Sequence, residues 1–165
     1  MNKTRPTSAF TLVEMVAAVA IVFLLIGLIL PAAHGVRQAA RRRQAATETR
    51  SLLKAVRDYR AAYGHWPRQT QDAQDTTHTQ LVEIVAALTV CPEWNPRQIL
   101  FLERPDGPWL DPWGRSYVLA LDENGDGHTT LDLGDGQPTN YVNVSAVALS
   151  FGPNPGRPDD RIEAW

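Results

Sequence analysis

At 165 residues, with 16 basic and 18 acidic side chains, the chain carries a formal net charge of −2. That balance is no electrostatic footprint for nucleic acid, and the lone cysteine, Cys91, precludes an intrachain disulfide. The length leaves room for one modest domain beyond a long helix.

The chain opens with a short basic segment holding Lys3 and Arg5, followed by Ser8-Ala9-Phe10-Thr11-Leu12-Val13-Glu14 and an uncharged run from Met15 to Ala33. As a helix that run is roughly 30 Å long, about the hydrocarbon thickness of a bilayer. A lone ionised glutamate inside such a span costs roughly 2.5–3.5 kcal/mol at mid-membrane, so Glu14 calls for a partner. An ordinary secretory signal peptide would put small residues such as Ala32-Ala33 at its cut. Glu14 interrupts the front of the apolar region, however, and the run exceeds the usual length. Pro31 lacks a backbone donor and predicts a kink or local melting.

Beyond the proline the period stays helical. Leu52, Leu53, Val56, Tyr59 and Tyr63 recur at three- and four-residue steps and predict one apolar face, a core stripe without functional meaning of its own. Eight Arg or Lys lie between His34 and Arg60, against only Glu48 and Asp58, and predict a solvated stem near anionic headgroups. Gly64 and Pro67 supply the stop, so one helix is expected from Phe10 to about Tyr63. The polar stretch Gln69–Thr79 reads as a surface loop, and Leu81–Leu88 as a short amphipathic helix. Strands are expected at Ser116–Leu121, Tyr141–Ser150 and Arg161–Glu163, separated by Gly- and Asp-rich turns. The fold class is α+β: a long amino-terminal helix on a small antiparallel sheet.

The loop from Asp122 to His128 places oxygen donors at Asp122, Asn124 and Asp126, with glycine following, as in the first half of an EF-hand calcium loop. The twelfth position is Leu133, where a carboxylate belongs. A hairpin that merely turns the chain explains the same residues equally well. His34, His65, His78 and His128 are isolated in sequence. No nucleophile elbow or phosphate loop is present, so no catalytic constellation supports an enzyme.

The leader and the Phe10-Thr11-Leu12-Val13-Glu14 opening resemble the prepilin-type start of type IV pilins and type II secretion pseudopilins. Leu52–Tyr59, Tyr63-Gly64-His65-Trp66-Pro67 and Asp111-Pro112-Trp113-Gly114 resemble the stem exit and the distinctive turn of the major pseudopilin group. Trp66 stands in the place of the usual tyrosine, and the turn would set Trp113 against the stem. The resemblance implies a leader at 1–9 cut after Ala9 by a prepilin peptidase, with methylation of the new amine on Phe10. It implies a membrane and filament-core helix at 10–33, an amphipathic stem at 34–63 and a periplasmic globular domain at 64–165. Glu14 would pair with the Phe10 amine of a neighbouring subunit. Arg37 and Arg41–Arg43 follow the span, and the charge bias alone would favour a cytoplasmic carboxyl terminus. The family orientation is the reverse and is the one adopted.

The resemblance extends to the segment Ser150–Ile162, whose family counterpart holds a structural calcium ion. It implies ligands at Asn154, Asp159 and Asp160, with Asp122, Asn124 and Asp126 as the alternative site. The expected function is a structural, non-enzymatic subunit of a secretion pseudopilus. It would sit in the inner membrane before assembly, with other pseudopilins, the peptidase and an assembly platform as partners. The competing readings are a minor type IV pilin and a secreted or anchored calcium-binding domain behind an ordinary signal peptide. The Asp111–Gly114 motif and the single cysteine favour secretion over the pilin.

Overall fold

The structure is a computed structural model that describes residues 11–67, 75–79, 81–89, 91–103, 109–134 and 136–165, apart from the side chains of 28–34. The chain divides into two compact units, Met1–Ala40 and Arg41–Trp165. The helix α1 (Leu12–Tyr63) supplies both.

From Met15 to Ile26 α1 carries no charged side chain, and apolar side chains around it such as Val16, Phe23 and Leu24 are exposed. A helix of that kind needs lipid or protein around it. Among the described residues no helix is long and apolar enough to cross a membrane. The expected span at 10–33 includes residue 10 and the side chains of 28–33, which lie outside the description. The helical assignment is unbroken at position 31, where the sequence predicted an interruption.

In the second unit the stem part of α1 behaves as its periodicity predicts. Leu52, Leu53, Ala55, Val56 and Tyr59 are buried, whereas Arg50, Lys54 and Arg57 face solvent. Gly64 ends the helix with a positive φ of 82° while its amide returns to the Arg60 carbonyl at 2.7 Å, as an αL cap requires. The short helix α2 (Val82–Leu88) buries Ile84, Val85, Ala87 and Leu88 in the same core.

Four strands form an antiparallel sheet in the order β1 (Thr76–His78), β2 (Val118–Leu121), β5 (Ala146–Ser150), β6 (Ile162–Ala164). A separate hairpin pairs β3 (His128–Leu131) with β4 (Thr139–Val142). Alternation along the central strands divides the apolar side chains between two layers. Leu119, Leu121, Ala146 and Ala148 meet α1 and α2, while Val118, Ala120, Val147 and Leu149 meet Leu131 with Tyr141 and Phe151. The sheet is therefore covered on both faces, which accounts for the unbroken burial of β2 and β5.

Other expectations change as well. The run Tyr141–Ser150 is two strands in different sheets, parted at Asn143, whose φ is 58°. The polar stretch read as a loop delivers β1, the edge strand paired with β2. Trp109, with its ring 5.2 Å from that of Tyr117, packs against the core, and Trp113 is half-buried outside it.

Candidate functional site

Three places carry the residues singled out by the sequence. The first is the start of α1. The Thr11 amide and hydroxyl donate to Glu14 Oε2 at 2.9 and 2.7 Å, and the Glu14 amide donates back to Thr11 Oγ1 at 3.3 Å. This reciprocal arrangement is a capping box, which satisfies amides that the first helical turn would leave open. Glu14 thus has a local structural partner within its own chain. Ala9 and Phe10 lie outside the described residues.

The second is the carboxyl-terminal loop. Asp160 closes a 3-10 turn (Pro158–Asp160). Its Oδ2 accepts a hydrogen bond of 2.6 Å from Asn154 Nδ2, and its Oδ1 is paired with the guanidinium of Arg42 on the stem. The Asn154 amide and the Arg42 guanidinium hold the Asp160 carboxyl below the usual carboxylate range. Asp159 is exposed. Gly152 has a φ of +67°, and a Cβ there would stand 2.0 Å from the Asp160 carbonyl oxygen, so the loop closes only around a glycine. Asn154 and Asp160 are in contact, and Asp159 precedes Asp160 in the chain. Asn154 presents its N–H to Asp160, and the charge of that carboxylate is met by an arginine.

This loop is joined to the Asp-Pro-Trp-Gly turn by Asp111, a residue whose side chain the sequence reading left without a role. Asp111 is buried, and its Oδ1 accepts the amides of Trp113 and Arg115 at 3.0 and 2.9 Å. Its Oδ2 accepts the Ser150 hydroxyl at 2.8 Å. Arg115 Nη1 then reaches the Gly152 carbonyl at 2.5 Å. An Asp before Pro is the available sequence signal, because its carboxylate bonds amides two residues on.

The third place is the β2–β3 loop. Asp122 is buried and accepts the amides of Gly125 and Gly127 at 2.6 and 3.2 Å. Asn124 Oδ1 accepts the Asp126 amide at 2.8 Å, and Asp126 Oδ1 accepts that of His128 at 2.7 Å. The predicted donors therefore hold the turn itself. Asp75, just ahead of β1, joins them, and carboxylate oxygens of Asp75, Asp122 and Asp126 lie within 4.8 Å of one another. Asp75 Oδ2 accepts the Thr130 amide at 2.9 Å, whereas its buried Oδ1 has no hydrogen-bond partner among the described residues. Asp75, Asp122 and Asp126 could together offer oxygens to a cation, and Asn124 lines the same recess as Asp75 and Asp126.

A helical stem packed on a small antiparallel sheet, with the helix opening on a threonine–glutamate cap, defines a pilin-like α+β protein. No family model matches the sequence, and no solved structure matches it. The chain is 28% identical over 153 residues to the type II secretion system core protein G of Escherichia coli (strain K12), covering 92% of this chain and 96% of that one. The similarity to that secretion-system core protein extends over nearly the whole of both chains.

Proposed function

We propose that the chain is a non-enzymatic structural subunit of a type II secretion-like pseudopilus. The observation that carries this reading is a similarity to a secretion core protein that runs through nearly the whole of both chains. The α1 stem, the buried Asp111 turn and the exposed apolar side chains between Leu12 and Ile26 support it. In this reading a prepilin peptidase cuts after Ala9, Phe10 is methylated, and the helix waits in the inner membrane with the globular domain in the periplasm. On assembly, the exposed side chains from Leu12 to Ile26 exchange lipid for neighbouring helices. The Glu14 carboxylate then gains the neighbour's amine, since a charge withdrawn from water is retained only where it is paired.

Mass spectrometry of the membrane-extracted protein tests the reading. An N-methyl-phenylalanine terminus at residue 10 is expected. A terminus near His34 would mark a conventional signal peptide and remove the filament role.

A further inference from the structure

We infer that Arg42 takes the place of a structural cation in the carboxyl-terminal loop, so that a guanidinium on the stem fastens this loop and calcium does not. Calcium requires six to eight oxygen ligands. Several of the loop's oxygens are already committed, although the Asp159 carboxylate faces solvent. The Gly152 carbonyl accepts Arg115 at 2.5 Å, and the Asn154 carbonyl accepts the Arg157 amide at 3.0 Å. The Arg157 carbonyl accepts the Asp160 amide at 3.1 Å, and the Pro158 carbonyl accepts the Arg161 amide at 3.0 Å. The Asp160 carboxylate is shared between Asn154 Nδ2 and Arg42.

The charge balance agrees. Asn154 is neutral, so one guanidinium suffices for Asp160, and its planar fork of donors suits a carboxylate. The Asp160 side chain retains 15% of its accessible surface, so the pair is partly shielded from solvent. Pro153, Pro155 and Pro158 supply the remaining stiffness, since each fixes φ and lowers the entropy the unfolded loop must lose. Arg42 lies 118 residues from Asp160 in sequence. The clasp therefore ties the end of the chain to the stem, which a metal held wholly within the loop would not do.

Hydrogen exchange of the full chain in detergent, with calcium or with EGTA, tests the clasp independently of any filament. Peptides covering 152–161 should exchange alike in both conditions in the wild type. In Arg42→Gln their protection should fall about tenfold, with or without calcium. Arg42→Lys, which keeps the charge but loses the fork, should fall between. Wild-type protection that collapses in EGTA and returns with calcium would overturn the inference, and that comparison needs no variant to fold. Unchanged protection in Arg42→Gln would overturn it as well.

Discussion

The Tyr117 hydroxyl, at the entry to β2, donates to the Glu48 carboxylate on the stem, joining sheet and helix by a hydrogen bond to a charged group. Tyr117 is wholly buried, so the bond is formed where water cannot replace it. Tyr117→Phe should destabilise the domain by roughly 1.5–3 kcal/mol, the range for hydrogen bonds to ionised partners. A double-mutant cycle with Glu48→Gln, read by denaturant unfolding, should show coupling between the two. Strict additivity would mean that the contact contributes nothing.

The same phenol predicts an alkaline limit. Burial first, and then the Glu48 carboxylate, raise the Tyr117 pKa above its ordinary value of 10.0. Burial and Glu163 do the same for Tyr141. A raised pKa means that the stabilisation is complete below the unfolded value. It is lost as pH rises from there through the folded value. Melting temperature should therefore fall steeply above about pH 10, and less steeply in Tyr117→Phe. Parallel profiles for the two proteins would contradict this assignment.

Asn95 organises the segment after α2. It is fully buried and its Nδ2 donates to the carbonyls of Thr89 and Ile99, while its Oδ1 accepts the Ile99 amide at 3.1 Å and the Tyr63 hydroxyl at 2.6 Å. Asn95→Ala strands these partners, at roughly 1–3 kcal/mol for each group left unsatisfied. Asn95→Asp keeps the acceptor and loses the donors, so it should also destabilise, as thermal melts would show. A melt unchanged in both variants would remove Asn95 from this role.

Gly152→Ala meets the Asp160 carbonyl oxygen and a positive φ together. A loss of more than about 1 kcal/mol is expected, since alanine is unsuited to that backbone region. Gly156→Ala, at a position whose Cβ meets nothing within 4 Å, is the control. Urea unfolding of both separates a specific clash from a general intolerance of the loop.

Glu14→Gln separates the two uses of Glu14. Glutamine can serve a capping box as glutamate does, so the helix start should persist. The charge is gone, so subunit cross-linking in cells should fall as far as it does in Glu14→Ala. Wild-type levels of cross-linking in Glu14→Gln would assign Glu14 to the cap alone.

The local features were legible in the sequence because the responsible residues are neighbours. The stripe from Leu52 to Tyr63, the stop at Gly64 and helix α2 all follow from periodicity and one glycine. Thr76–His78 was not legible, because a three-residue polar edge strand has neither alternation nor apolar bulk, and only its pairing with β2 defines it. Tyr141–Ser150 read as continuous because nothing in its composition announces the positive φ of Asn143. The partners of the candidate ligands are distant in sequence: Arg42 for Asp160, and Asp75 for Asp122 and Asp126. Neither oxygen-donor spacing around Asp122 nor a resemblance around Asp160 can reveal a partner that only the fold brings in from elsewhere in the chain.

The place of β6 at the edge of the sheet guards the protein against self-association. This strand completes the sheet beside β5 through Ile162–Ala164, and Ala164 closes the core. Were these three residues to leave, β5 would present an open edge, and the stem's apolar stripe would have an incomplete sheet to cover. Three residues thus stand between a fully paired central strand and a template onto which another chain could add.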